Sequence, residues 1–194
     1  MEFLYTDQDI AVCIKPVGLD SEHELPQSIQ EALGGDIYPI HRLDRNVGGV
    51  MVYARSRKAA ASLSRAIQEG TLVKEYVAKV HGLPPESGDW TDLLFKDSRK
   101  NKVFAVKRMR SGVKQARLEF KRLKEEDPCP VRIRLHTGRS HQIRVQFASR
   151  GYPLLGDHKY GARDPEKAPY LYSCRLEFPY KGQIRSFESL PEWI

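Results

Sequence analysis

Two short apolar stretches open the chain, Phe3-Leu4-Tyr5 and Ile10-Ala11-Val12-Cys13-Ile14, and the second is closed by Lys15-Pro16-Val17-Gly18. An apolar run of that length bounded by Pro and Gly predicts a strand that ends in a turn. A short helix is expected from Ser28 to Leu33, stopped by Gly34-Gly35, and Ile37-Tyr38-Pro39-Ile40 follows it. Val50-Met51-Val52-Tyr53-Ala54 is apolar throughout and predicts a buried strand. Ser56 is placed to cap a helix in which Ala59, Ala60, Leu63, Ala66 and Ile67 share one face, with Gly70 just past its end. From Leu72 to Val80 the pattern is again that of a strand. Alternation puts Leu72, Lys74, Tyr76, Ala78 and Val80 on one side of it.

The second half is less regular. Between Trp90 and Arg117 there is little helical period, and the expected strands are Val103–Val106 and Ala116–Phe120. Val131-Arg132-Ile133-Arg134-Leu135 alternates apolar and basic positions, the pattern of a strand with one buried and one charged face. Gly138 makes a turn, and Ser140 is expected to cap a helix running to about Arg150, with Ile143, Phe147 and Ala148 facing inward. The tail predicts two more strands, Tyr170–Phe178 and Gln183–Leu190, around a turn at Pro179–Gly182. No repeat, low-complexity stretch or linker interrupts the series. A chain of 194 residues, 40% hydrophobic, can build a full core as one domain or two closely packed halves. The expectation is a single α+β domain over residues 1–194.

Charge alters this picture. There are 32 Lys and Arg against 25 Asp and Glu, a formal net charge of +7. Nine basic residues fall between Lys96 and Arg117 (Lys96, Arg99, Lys100, Lys102, Lys107, Arg108, Arg110, Lys114, Arg117) with one acid, Asp97. Such clustering suits phosphate contact better than general solubility. No segment offers about 18 uninterrupted apolar residues, and Met1–Asp7 lacks a basic region followed by an apolar run, so a cytoplasmic protein without a membrane partner is expected. Cys13, Cys129 and Cys174 are far apart and form no C-x-x-C pair, which argues for free thiols. His41, His136, His141 and His158 have no helical i, i+4 spacing with an acidic neighbour, so no metal is expected. Neither a G-x-S-x-G elbow nor a phosphate-binding glycine loop is present.

One stretch concentrates candidate chemistry: His41-Arg42-Leu43-Asp44-Arg45-Asn46-Val47-Gly48-Gly49-Val50. A carboxylate beside fixed positive charge favours its ionised form, which makes Asp44 a candidate nucleophile or electrostatic group rather than a proton donor. Taken alone, the same stretch also fits a surface turn with a local ion pair. Tyr76 fits either a packed tyrosine with a bonded hydroxyl or a platform for a base. Arg139 beside a helix N-terminus fits anion binding, and Asp157 in Gly156-Asp157-His158-Lys159-Tyr160-Gly161 is a second carboxylate to consider.

Taken in order, four segments resemble the motif series of the RluA family of RNA pseudouridine synthases. They are His41-Arg42-Leu43-Asp44 with Gly49, Lys74 to Gly82, Gly138-Arg139-Ser140-His141-Gln142-Ile143-Arg144-Val145, and Gly156 to Gly161. Ile14 to Leu19 is similar to that family's opening strand and turn. The resemblance implies a mixed, mostly antiparallel sheet in two halves with flanking helices and a central basic cleft. It implies isomerisation of a uridine in ribosomal or transfer RNA, by a monomer, with no cofactor or metal and without an S4-type RNA-binding domain. Asp44 matches the catalytic aspartate, Tyr76 the tyrosine that stacks on the reacting uracil and has a proton-transfer role, and Arg144 the basic residue paired with the aspartate. Arg42 is placed to enter the RNA stack or hold phosphate, and Lys74, Arg139, His141, Gln142 and Ile143 fall on substrate-binding positions. Val47 and Gly48 stand where the family usually has Thr and Ser, and Gln146 where it has His. An RNA-binding module of the same fold without the chemistry, and a glycosidase that would release free uracil, are the alternatives.

Overall fold

The structure is a computed structural model describing residues 1–194. In chain order its elements are β1 (Glu2–Thr6), β2 (Ile10–Lys15), α1 (Glu24–Leu33), β3 (Tyr38–Pro39), β4 (Gly48–Ala54), α2 (Arg57–Gln68), β5 (Val73–Val80), β6 (Ser87–Asp97), β7 (Lys102–Val106), β8 (Val113–Arg122), β9 (Cys129–Leu135), α3 (Gln142–Ala148), a 3-10 turn (His158–Tyr160), β10 (Leu171–Tyr180) and β11 (Gln183–Glu188). Two compact units result, residues 1–75 with 172–194, and residues 76–171, so that β5 contains the boundary. The chain is α+β, and its strand pairing is largely antiparallel.

In the first unit the strands run β1-β2-β4-β10, with β11 on β10 and β3 on β4. β4 is buried over its whole length; β2 pairs it antiparallel from Gly49 to Ala54 on one side, and on the other β10 pairs it parallel at Gly48 and Gly49 and β3 antiparallel at Tyr53 and Ala54. Val50 and Val52 of β4 join Ile10 and Val12 of β2, Leu63 of α2, and Leu176 and Phe178 of β10 in one core. Each large apolar side chain so buried stabilises the fold by roughly 1.5–3 kcal/mol relative to exposure. The Ser56 cap is present: its Oγ accepts from Ala59 N–H at 3.1 Å and donates to Asp9 at 2.9 Å, tying α2 to the loop before β2. Ala59, Leu63 and Ala66 are buried and Ala60 and Ile67 partly so, as the helical period predicts. α1 starts at Glu24, four residues before the expected Ser28. Leu25, Pro26 and Ile29 bury its inner face, and Pro26 is tolerated because it lies in the first turn.

The second unit holds antiparallel strands ordered β9-β8-β6-β7, with β6 between β7 and β8. β6 was not expected over its eleven residues, because Ser87 to Asp92 is mostly polar and carries no apolar alternation. Trp90, Phe120 and Phe147 pack with ring centroids 4.3 to 5.2 Å apart and hold α3 on β6 and β8. α3 departs from expectation at both ends. It spans only Gln142–Ala148, and its N-cap is His141, in the left-handed region at φ 49° with no side-chain cap. Ser140 therefore caps nothing. Gln142 orders the approach instead, its Oε1 accepting from Thr137 Oγ1 at 2.8 Å and Arg139 N–H at 3.0 Å.

Candidate active site

Asp44 lies in the loop entering β4, and the carbonyls of Leu43, Arg45 and Val47 around it are held from the N-terminal segment. Ser21 Oγ donates to Leu43 O and accepts from Leu43 N–H, at 2.9 and 3.2 Å. Val47 N–H donates to Asp44 O at 2.9 Å. Lys15 is fully buried and its ammonium donates to Pro16 O, Arg45 O and Val47 O at 2.9, 3.0 and 2.9 Å. Gly18 N–H adds a second donor to Arg45 O at 2.8 Å. Burial pushes the Lys15 pKa down to about 8, with the nearby Arg45 charge acting the same way and Asp44 among the acids opposing it. A buried ammonium with all three protons used is a rigid strut, and this one fixes the loop just after Asp44 while Ser21 fixes it just before.

The arginines flanking Asp44 have carboxylate partners elsewhere. Arg42 pairs with Glu22 at 2.7 Å and Arg45 with Glu24 at 3.0 Å, all largely exposed. Their positive charge is thus shared with two acids at the start of α1. His41 anchors the other end of the stretch. β3 pairs with β4 only at Ala54 and Tyr53, and the next free edge group, Val52 N–H, donates to His41 Nε2 at 3.2 Å. The Nδ1 atom of His41 is buried without a hydrogen-bond partner. Burial, reinforced by the Lys74 charge, pulls the His41 pKa down to about 3, so the ring is neutral. Burial also lowers the Lys74 pKa.

The loop's two glycines have distinct reasons. Gly49 has φ +123° where β4 pairs with β10, and a Cβ there would come within 2.3 Å of Ser173 O. Gly48 has room only for a tight contact, 3.2 Å from Lys15 O and 3.3 Å from the Tyr172 ring.

In the second unit Arg144 and Asp157 form a buried bidentate pair, Nε to Oδ2 at 2.6 Å and Nη2 to Oδ1 at 2.8 Å. The guanidinium also lies 5.2 Å from the centre of the Tyr160 ring. Tyr160 hydroxyl accepts from Val103 N–H at 2.9 Å and bonds His141 Nδ1 at 2.8 Å, so one tyrosine positions two of the expected site residues. Arg139 is exposed, its Nε donating to Gln115 O at 2.9 Å. Gln142 and Ile143 face inward. The Gln142 amide is used on Thr137, Arg139 and Arg117 O, and Ile143 is buried. Tyr76 is 6% exposed on β5. Gln146 donates to Asp92 at 2.7 Å and to Trp90 O at 3.3 Å, beside the Arg150–Asp92 ion pair. No group of three or more His, Cys, Asp or Glu is placed to hold a metal ion, the three cysteines are buried free thiols, and no helix is long and apolar enough to cross a membrane.

The sequence model of RNA pseudouridylate synthase matches residues 9–149. The chain belongs to that family. An RNA pseudouridine synthase of Aquifex aeolicus is 34% identical across 97% of this chain and 68% of its own length. The ribosomal large subunit pseudouridine synthase C of Buchnera aphidicola is 39% identical over 64% of this chain, but that is 40% of the relative's length. Human RNA pseudouridylate synthase domain containing 1 and 4 share the fold, with TM-scores of 0.86 and 0.81 at 22% and 23% identity, over 84% and 89% of those chains. Family membership makes this chain an isomerase that acts on RNA, converting uridine to pseudouridine.

Several parts of this synthase were not evident from its sequence. Lys15 and Ser21 lie 30 and 22 residues from the loop groups they bind, and the only local sign was a charged residue closing an otherwise apolar strand. The sequence offers Asp157 only as a carboxylate without a role, and the structure gives it one as the partner of Arg144.

Proposed function

We propose that Asp44 is the catalytic carboxylate, acting on a uridine of ribosomal or transfer RNA, with Tyr76 and Arg144 completing the catalytic set. The observation that carries this is the support of the Asp44 loop. A buried lysine, a buried serine and the Gly18 N–H bond the backbone of Leu43, Arg45 and Val47, and Val47 N–H closes the turn on Asp44 O, so the backbone that carries Asp44 is fixed on both sides of it. Preorganising a reacting group in this way is how a fixed scaffold lowers a barrier.

The N1–C1′ bond of the uridine breaks, the uracil turns, C5 bonds to C1′, and the C5 proton leaves while N1 gains one. Asp44 acts in its ionised form, either by attack at C1′ or by way of a glycal. Tyr76 stacks on the uracil and serves the proton transfer at C5. Arg144, aimed by Asp157 and the Tyr160 ring, supplies the positive charge of the catalytic set. Arg42, Lys74, Arg139 and His141 contact the RNA, while Gln142 and Ile143 support the turn and helix that carry Arg139 and Arg144. The uridine must be unstacked first, at a cost of a few kcal/mol that RNA contacts offset. The reading takes the chain as a cytoplasmic monomer.

The test is RNA labelled with tritium at uridine C5. The wild type should release label to water without free uracil, and Asp44→Asn should release none while binding RNA within severalfold of wild type. Label release surviving in Asp44→Asn would remove the assignment; free uracil would point to a glycosidase.

A further inference from the structure

A cavity of about 170 Å³ opens in the second unit on one face of the antiparallel strands β8, β6 and β7. Its floor is apolar, made by buried Leu94 and Val103, and its rim carries Lys96, Lys114 and Arg139, with Gly138 exposing backbone beside them. The register explains why they converge. Leu94 and Lys96 are two apart on β6 and share a face; Leu94 lies opposite Lys114 of β8 and Lys96 opposite Val103 of β7. Arg139 arrives from the turn before α3 and is pinned by its bond to Gln115 O, next to Lys114.

None of these three cations has a carboxylate partner. Neighbouring arginines do: Arg117 with Asp89 and Glu119, Arg122 with Glu125, Arg150 with Asp92. Asp97, adjacent to Lys96 in sequence, accepts instead from the backbone N–H groups of Arg99 and Lys100. Uncompensated like charges around a concavity with low-dielectric walls focus a field that draws an anion. The space is far above the roughly 10–15 Å³ that one water needs, which leaves room for a phosphate with part of its sugar. An apolar floor below a cationic rim suits that shape, with the sugar on the floor and the phosphate oxygens on the rim, and a guanidinium adds planar, two-pronged recognition.

We propose that Lys96, Lys114 and Arg139 form a subsite for a single phosphodiester of the RNA strand, the adjoining ribose resting on Leu94 and Val103. This rests on the reading that the chain binds RNA, and deepens it. Because Arg139 begins the short segment that leads to His141 and Arg144, a phosphate held here fixes the register of the strand relative to Arg144.

The probe is a labelled oligouridine, with its affinity for the full chain measured against KCl concentration. One phosphate shared by three cations predicts that the triple variant Lys96→Gln, Lys114→Gln, Arg139→Gln lowers the slope of log K against log salt by about 0.7, the value for one single-stranded contact. Three cations each meeting their own phosphate would lower it by about 2, and that result, or an unchanged slope, overturns the subsite. A scan with single neutral methylphosphonate linkages should find one position that weakens wild-type binding severalfold and leaves the triple variant unaffected; no such position also overturns it. Wild-type protein that shows no salt-dependent RNA binding would overturn the RNA reading together with the subsite, whereas normal wild-type binding with any of the adverse results removes the subsite alone.

Discussion

Arg144 and Asp157 are joined by two parallel hydrogen bonds of 2.6 and 2.8 Å, thirteen residues apart in the chain and both buried. A bidentate carboxylate fixes the plane of a guanidinium as well as its position. Asp157 is therefore a positioning residue for Arg144. Asp157→Asn should destabilise the fold by about 3 kcal/mol, because removing one charge of a buried pair leaves the other uncompensated. Measured well below the melting temperature, it should also lower kcat for label release at least tenfold with little change in RNA affinity. A variant that loses stability but keeps its kcat would reduce Asp157 to a structural role.

Lys15 acts on Asp44 through the backbone. Lys15→Met keeps the length of the side chain and removes all three donors, stranding Pro16 O and Val47 O, while Arg45 O retains Gly18 N–H. Stranding the buried Val47 O costs roughly 1–3 kcal/mol, whereas Pro16 is exposed and its carbonyl can turn to water; the cost is offset in part because a buried ammonium is no longer desolvated. The expected outcome is a modest fall in melting temperature with a disproportionate loss of kcat, since the loop loses its geometry before the fold fails. Full activity in Lys15→Met would show that the Asp44 loop holds itself.

Much of the fold was legible where burial imposes a period. β2, β4, α2 with its Ser56 cap, and β9 follow from apolar runs or alternation, because each buries one face or both against neighbours close at hand. β6 escaped because Ser87 to Asp92 is mostly polar, its strand identity coming from pairing with β8 rather than from its own composition. The first turn of α3 was misjudged for a related reason. Ser140 is a good cap by type, but Gln142 reaches back to Thr137 and Arg139 and sets the turn first. For the site, the residue types were visible and their supports were not. Lys15, Ser21 and Asp157 act through contacts 13 to 32 residues away in sequence, which no local pattern encodes.

Acid should act through His41. Its folded pKa is pulled down to about 3 by burial and by Lys74, against about 6.5 for an ordinary histidine. Between these values the unfolded chain binds a proton that the folded chain refuses, so stability rises with pH through this window. The His41 contribution is complete above about pH 6.5 and is lost as pH falls towards 3. His41→Gln, which can still accept from Val52 N–H, should flatten the stability profile between pH 6.5 and 3 in denaturant titrations. An unchanged profile would place the acid sensitivity on other groups, such as Asp7, whose partly buried carboxylate is held ionised by Tyr180, Lys181 and the N–H groups of Ile10 and Asp9.

The adjacent glycines of the Asp44 loop should respond in opposite ways to a side chain. At Gly49 the positive φ is unfavourable for any L-residue, and the added Cβ meets backbone atoms of Ser173 at 2.3 to 2.8 Å. Neither strand can retreat, because β4 and β10 are both buried and paired there. Gly49→Ala should therefore cost more than the 1–3 kcal/mol typical of overpacking alone and separate β10 from β4, seen as a large fall in melting temperature. At Gly48 the nearest contacts are 3.2 to 3.4 Å, and two of the three are atoms of the Tyr172 ring, which can shift by the few tenths of an ångström required. Gly48→Ser restores the hydroxyl that the RluA-type pattern usually has at this position. It should fold with less than about 1.5 kcal/mol lost, within the range of tolerated core changes, and retain label release. A Gly48→Ser protein as unstable as Gly49→Ala would mean that Tyr172 is held too tightly to move, and that this loop has repacked around the missing side chain.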